Sequence, residues 1–414
     1  IAAEVKEFNP EDYGIKLTVG DQGSYGTCWS FASLGALEAS YIAQGYASTA
    51  PDLSELHQAW YAFRDPRPGY SLPLHRNNRR ILDQGGNTDD SLYFLSRMGT
   101  ALNTEMPYSM AGSLESNPPT KYPDTYSNPL RLKAVYQIGA ITKDKIERVK
   151  HLIMNYGAVH IGYRHLDEYE GLGSSYYMPN VYSIPRDRGG WHAVIIVGWD
   201  DNYSSENFGT KPDSNGAWLA KNSWGTGFGE GGYFWISYEQ ETSDCAVFVA
   251  DDSISDNTTA AIESFPDNWS ANIFVAEKIE SEDAESLNAV SFHTRRINVQ
   301  YEVYVNRFGK TKPENGPGVP QGNPVASGTL PYEGYHTVEL DEPIEIEPGE
   351  YFAVMVKLSS PDAVLRNKYL TVAAKNNSSI VSSAEYTAGN SWFAESDSLP
   401  ESSDWKDGGK AQLL

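Results

Sequence analysis

The sequence predicts an α+β unit followed by an all-β unit, and three observations carry that reading. Helical patterns fill the first part of the chain, short β-rich runs follow from about residue 159, and beyond a polar stretch only strands recur. With 414 residues the chain has room for two or three domains. A 40% hydrophobic content with 27 Tyr, 14 Phe and 10 Trp supports large cores and argues against disorder.

Residues 28–43, CWSFASLGALEASYIA, form a helical pattern rich in Ala and Leu, with Thr27 as N-cap and Gly45 just past the end. Residues 54–63 and 88–98 read as two more helices. The second opens TDDS, with Thr88 as the cap and two acids near the positive end of the helix dipole. Residues 100–135 are rich in Pro, Asn and Ser and read as irregular. In KDKIERVKHLIMNYG, Ile146, Val149, Ile153 and Met154 share one helical face, and Gly157 ends the helix.

The pattern then changes to strands. VHIGYR, HAVIIVGW, AWLAKNSW, GYFWISYE and CAVFVAD are short β-rich runs between turn residues. The stretch DDSISDNTTAAIESFPDNWS reads as a linker. Beyond it, NIFVAEKI, ESLNAVSFHT, NVQYEVYVNR, YHTVELD and GEYFAVMVKLS recur with no helix between them, which suggests an all-β sandwich. The expected organisation is a first domain over 1–250, a linker over 251–268 and a β domain over 269–414. A further strand is expected where the sequence closes on GGKAQLL.

The net charge of −23 excludes electrostatic nucleic-acid binding. It is uneven: residues 251–414 carry 12 Lys and Arg against 26 Asp and Glu, a solvated surface that leaves a calcium site open. No run is apolar for long enough to span a bilayer, and IAAEVKEFNPEDYG lacks the layout of a signal peptide. Two cysteines allow one disulfide, Cys28 with Cys245, too few for a disulfide-stapled scaffold.

Cys28 stands in DQGSYGTCWSFA, at the first turn of the first helix, where the dipole favours a thiolate. It reads as a buried small hydrophobe or as a nucleophile. A thiol that attacks an amide needs a base and donors for the oxyanion. GGWHAVIIVGWDD puts His192 at the start of a strand, AWLAKNSWG offers Asn222 to orient the imidazole, and Gln22 can supply an amide donor. Together, in the order Gln–Cys–His–Asn, they favour the nucleophile.

Other signals fail their context. GFGEGG satisfies the dinucleotide-binding spacing but precedes a strand rather than a helix, and no phosphate-loop or zinc-protease signature occurs. Glu147 and His151, at i,i+4 spacing, read as a surface ion pair. DEPIEIEPGE reads as an exposed strand and turn. No metal ligands are assigned.

The blocks DQGSYGTCWSFA, WHAVIIVGW and LAKNSWGTGFGEGGYFWI resemble the three signatures of papain-family cysteine peptidases. LSELHQAW and QGGNTDDSLYFLSRMGTALNTEMPY resemble the segments that connect them, so the resemblance spans residues 12 to about 250. It implies a two-lobed domain, one lobe helical and one β, that needs no cofactor for catalysis. It makes Cys28 the nucleophile, His192 the general acid and base, Asn222 its orienter and Gln22 an oxyanion donor. Trp224 becomes the shield of the Asn–His bond, and Gly85 and Gly86 the pair whose backbone meets bound peptide.

The chain departs from the pattern at Tyr25, where the family often has a cysteine, and the partner cysteine near LDQGG is also absent. His192 and Asn222 lie further from Cys28 than the family's roughly 130–150 residues, which implies insertions, one over 201–215 and another within 64–82 or 109–130. Trp191 is a candidate wall for the primed side of the cleft, with plain packing as the other reading. Cys245 is expected to be a buried free thiol.

Paired with the β domain, the chain resembles bacterial cell-surface cysteine proteases with a lectin-like domain, among them surface-layer-processing enzymes. That implies protein or peptide substrates, a cell-wall or surface glycan as partner, structural calcium in the β domain, and a secreted or cell-surface location; a structural module packed beside the cleft is the equal alternative for the β domain. With 27 residues before Cys28, it also implies an inhibitory propeptide in the precursor. The rival readings are an inert adhesion or carbohydrate-binding protein on a peptidase scaffold, and a thiol acyl transferase.

Overall fold

The computed structural model describes residues 5–62, 81–114, 116–117, 126–171, 174–185, 188–251, 268–276, 285–360 and 389–407. Nearly all of the expected linker, most of the 64–82 segment and the strand expected at GGKAQLL lie outside them. The chain divides into two compact units, Ile1–Asn257 and Thr258–Leu414.

In the first unit α1 spans Cys28–Ala43, α2 Glu55–Tyr61, α3 Thr88–Met98 and α4 Ile146–Tyr156. The strands are β1 Glu7–Phe8, β2 Arg131–Gln137, β3 Val159–His165, β4 Ser175–Tyr176, β5 Gly190–Asp200, β6 Ala217–Lys221, β7 Tyr233–Ser237 and β8 Thr242–Asp251. They pair in the order β2-β8-β3-β5-β6-β7-β4, with β1 also on β5. Most of these pairs are antiparallel, and β4 runs parallel to β7. Ala193–Trp199 of β5 are all buried, so this strand carries a continuous apolar run rather than an alternation.

Helix α1 is buried from Trp29 along almost its whole length, which explains a sequence rich in small and apolar residues rather than a two-faced one. A Cβ on Gly35 would stand 3.3 Å from Ile195 Cδ1 of β5, so the helix lies close against that strand. Its buried hydroxyls are used: Ser30 donates to the Glu55 carbonyl at 2.9 Å, and Gln58 donates to both Ser33 and Ser91 at 2.9 Å.

Several local expectations are corrected. Thr27 precedes α1 but makes no side-chain cap, because its hydroxyl meets the Tyr108 hydroxyl at 2.6 Å. The cap of α3 is Asn87, not Thr88: Asn87 and Asp90 form a reciprocal capping box, and Thr88 bonds Asp244 instead. Residues 100–135 are not wholly irregular, since they hold a 3-10 helix over Tyr108–Ser113 and the start of β2. In α4 the buried residues are Val149, Lys150, Leu152 and Ile153. Glu147 pairs with Lys150 at 2.9 Å rather than with His151, and Asp201 meets the same ammonium at 2.8 Å.

The second unit is all β. Strands β9 Trp269–Val275, β11 Val299–Gly309, β12 Ala326–Leu330, β14 Tyr351–Ser359, β15 Ser391–Ala394 and β16 Lys406–Asp407 form a sheet in the order β12-β11-β14-β9-β15-β16. β10 Glu285–Thr294 pairs with β13 Glu333–Ile346. Alternation along β14 sends Val354, Val356 and Leu358 into one cluster with Val290, Phe292, Val338 and Leu340 of that pair. Ala353 and Met355 turn to the other face, among Trp269, Tyr304, Trp392 and Trp405. Most of DEPIEIEPGE is open to solvent or partly so, but Glu350 is buried and holds Arg307 Nε and Nη2 at 2.8 and 2.6 Å.

Gly157, which ends α4, has φ +77, and a Cβ there would meet the Ala39 carbonyl oxygen of α1 at 2.5 Å. Gly14 has φ +80 but open space around it. Gly157→Ala is therefore expected to cost about 2–4 kcal/mol and Gly14→Ala about 1 kcal/mol. Urea-denaturation midpoints of the two variants check this, and equal losses would contradict the packing argument.

Candidate active site

The N-terminal loop is tied to the segment after β6 by backbone alone. Gln22 N–H donates to the Ser223 carbonyl at 2.8 Å, Gly225 N–H donates to the Gly20 carbonyl at 3.0 Å, and Asp21 bridges to Trp224. This brings Gln22 beside Asn222, although 200 residues separate them. The Gln22 amide is held at both ends: Nε2 donates to the Tyr25 carbonyl at 2.7 Å, and Oε1 accepts from the Ser223 hydroxyl at 2.7 Å. One Nε2 hydrogen remains for another acceptor.

Cys28 opens α1, so its backbone N–H has no intrahelical acceptor and faces the same way as the positive end of the helix dipole. The residue is partly open to solvent, and the Ala193 backbone N–H lies within reach of its sulfur. Ala193 follows His192 on β5, so nucleophile and base candidates meet where α1 abuts that strand. Burial pushes the Cys28 thiol up, and the N–H groups of Ala193, Trp29 and Cys28 itself oppose it.

His192 is buried and its Nε2 lies 2.8 Å from Asn222 Oδ1, which also accepts from Ser223 N–H at 2.8 Å. Two donors on Oδ1 fix the Asn222 orientation, and the bond fixes the ring with Nε2 protonated and Nδ1 free to accept. Trp224 stacks on the His192 ring, centroids 4.6 Å apart at 21°. Burial holds the imidazole down to about 4; the Asn222 bond opposes this and nearby His165 adds to it. Burial thus penalises either charge alone. Transfer of a proton from thiol to imidazole creates the two charges together, leaving the pair's net charge unchanged.

The remaining candidates fall as follows. Gly86 packs on the Trp29 ring, where a Cβ would come within 2.5 Å, and Gly85 takes φ +72, so both positions require glycine. Trp191 lies on β5 beside His192 and is 49% exposed, a large aromatic left facing water. Both cysteines are free, and burial pushes Cys245 up to about 12, so it is an inert thiol. The loop over 201–216 separates β5 from β6.

Four residues that the motifs do not single out also shape the site. Ser223 links Gln22 to Asn222. The Tyr108 hydroxyl bonds the Thr27 hydroxyl and donates to the Gln22 carbonyl at 3.1 Å, pinning the loop before Cys28 from both sides. Tyr163 stands opposite His192 in the β3–β5 register, and His165 meets Trp224 edge-on at 4.9 Å. The NSWG, TEMPY and YRH sequences hold them, but only the tertiary pairing gives them a role. For the expected calcium, no group of three converging His, Cys, Asp or Glu side chains occurs among the described residues of the second unit.

Comparison with known proteins places the chain among cysteine proteases by similarity. The model of the papain family of cysteine proteases matches residues 77–253, and that of the lectin-like domain matches residues 252–409. Solved structures of the Clostridium difficile surface-layer-associated protein Cwp84 are similar throughout. Its protease and lectin-like domains share 29% identity with this chain at a TM-score of 0.74, over 97% of this chain and 84% of that one. The form after propeptide cleavage gives the same identity and score over 95% and 94%. Among curated relatives, a cysteine protease of Blomia tropicalis is 28% identical over 53% of this chain and 56% of its own. Cathepsin L of Sarcophaga peregrina is 26% identical over 59% and 62%. The chain thus spans somewhat over half the length of the curated relatives it matches. Over residues 77–253 it is similar to the papain family of cysteine proteases, and a lectin-like domain match follows over 252–409.

Proposed function

We propose that the chain is a cysteine endopeptidase that cleaves proteins through a thioester acyl-enzyme, without a cofactor. The observation that carries this is the buried His192–Asn222 bond beneath Trp224, on the strand that also brings Ala193 to the Cys28 sulfur. In this reading the Cys28 thiol passes its proton to His192 Nδ1 as Sγ attacks the substrate carbonyl. The oxyanion forms against the Cys28 N–H and the free hydrogen of Gln22 Nε2. His192 then protonates the leaving amine and, after acylation, activates the water that frees the acid. Gly85 and Gly86 are read as backbone partners of the peptide, and Trp191 as an apolar wall beside His192.

The β domain is read as binding a cell-wall or surface glycan, on the strength of its lectin-like match, with a structural calcium ion resting on its acidic surface. The 29% likeness to a surface-layer-associated protease supports placement at a bacterial cell surface, and the propeptide-cleaved form of that protease supports a precursor with a propeptide. The domain limits 1–250, 251–268 and 269–414 are kept as the proposed division. An inert adhesion protein is disfavoured by the complete, mutually bonded Gln22–Ser223–Asn222–His192 set.

Cys28→Ala is expected to lower turnover of a protein substrate at least 10³-fold and to abolish labelling by an epoxide thiol-protease inhibitor. Retained activity in that variant would sink the assignment. Gln22→Ala is expected to lower kcat about 10²–10³-fold with little change in KM, measured by steady-state kinetics. The base must be neutral to accept a proton, and burial holds His192 near 4 rather than near its usual 6.5. The value of kcat/KM should therefore stay high through pH 6 and fall on an acid limb near pH 4. A limb near 6.5 in the pH–rate profile would contradict the buried geometry.

A further inference from the structure

We infer that His165, Asp167 and Glu170 form a divalent transition-metal site, of the zinc type, at the end of β3. His165 Nε2 lies 3.1 Å from Asp167 Oδ1 and 3.6 Å from Glu170 Oε1, and one ligand atom from each residue lies within 4.8 Å of the others. With bonds of about 2.0–2.2 Å, the edge of a tetrahedral zinc site is about 3.4 Å. The two nitrogen–oxygen separations bracket that value, and the two carboxylate oxygens lie within 4.8 Å of each other, close enough for side-chain rotation to bring them onto one ion.

The ring is also prepared from behind. His165 Nδ1 lies 3.2 Å from the hydroxyl of buried Tyr163. With Nδ1–H donating to that hydroxyl, the Nε2 lone pair points at the two carboxylates, the outer partner that metal-bound histidines usually have. The Tyr176 ring stacks on His165 with centroids 5.1 Å apart at 22°, which sets the ring plane. The Glu170 backbone is held by its bridge to Tyr176 and by its N–H donating to the Asp167 carbonyl at 3.1 Å, so the turn sets both acids beside the ring. Asp167 is almost fully exposed and Glu170 partly so, leaving the open side of the site to solvent water as the fourth ligand.

An imidazole with two carboxylates favours zinc or a similar transition metal over calcium, which needs six to eight oxygens at longer distances. The ligands RHLDEYE lie within six residues, and their short spacing follows from β3 ending at His165 and a 3-10 turn, Asp167–Tyr169, folding Glu170 back beside it. The sequence assigns no metal; the site exists only because that turn closes.

The test uses the full chain with Cys28→Ala, which removes the thiol as a competing ligand. Isothermal titration with zinc chloride at neutral pH is expected to show one site in the micromolar range. Adding Asp167→Asn and Glu170→Gln, both at solvent-facing side chains that leave the core untouched, should weaken it at least tenfold. Zinc binding absent up to about 1 mM in the Cys28→Ala chain, or binding unchanged by the carboxylate substitutions, would overturn the inference.

Discussion

The first unit depends on one constraint, the burial of α1 against β5. A helix sunk among other elements can present its first turn in only one place, and here that place is beside Ala193 and His192. Small residues make the seating close: Ala36 and Ala39 are fully buried, and a methyl group on Gly35 would crowd Ile195 at 3.3 Å. At the far end Gly157 packs on the Ala39 carbonyl, so α4 butts against the same helix. Cys28 is therefore positioned by the packing of fifteen following residues rather than by bonds of its own.

That burial has an electrostatic cost, which the interior handles by limiting net charge. Glu38 of α1 and Glu55 of α2 are pushed up by burial, to about 8 and about 7, while burial lowers Lys221 and the two acids oppose that. Lys221 immediately precedes Asn222 and reaches the region of Gly35. One carboxylate paired with the ammonium and the other acid protonated is the arrangement with least uncompensated charge. Glu38 spends its oxygen on the Leu53 N–H at 2.9 Å, so the cluster also joins α1 to the start of α2. The site's pH response is thus set by desolvation at His192, with these groups balancing one another one layer below.

Much of this was legible in the sequence, and the misses share a cause. Helix α1, the strands β3 and β5 to β8, and the Gln22–Cys28–His192–Asn222 order follow from local pattern and motif. Strand β2 was hidden because a Pro- and Ser-rich approach masked RLKAVYQ, whose strand character comes from pairing with β8. Glu147 turned from His151 to Lys150 because Asp201, distant in sequence, pulls that ammonium inward and Trp199 covers it at 5.7 Å. Thr88 lost the cap to Asn87 because Asp244 captures its hydroxyl and backbone. In each case a partner distant in sequence overrode a sound local preference.

The same logic resolves Tyr25. Without a disulfide, the loop before Cys28 needs another restraint, and a covalent link is replaced by several short-range ones. Gly26 lies close enough to Leu82 and Asp83 that a Cβ would sit 3.4 Å from their backbone, where the missing cysteine's partner segment runs. Tyr25 reaches the 3-10 helix at Gly112, and from that helix Tyr108 reaches back to Thr27 and Gln22. A disulfide constrains mainly the unfolded chain, whereas these contacts act only in the folded state and aim Gln22 directly. Gln22 and Cys28, the proposed oxyanion donor and nucleophile, therefore share one support, Tyr108, which ties the geometry of the loop to the packing of the helical lobe.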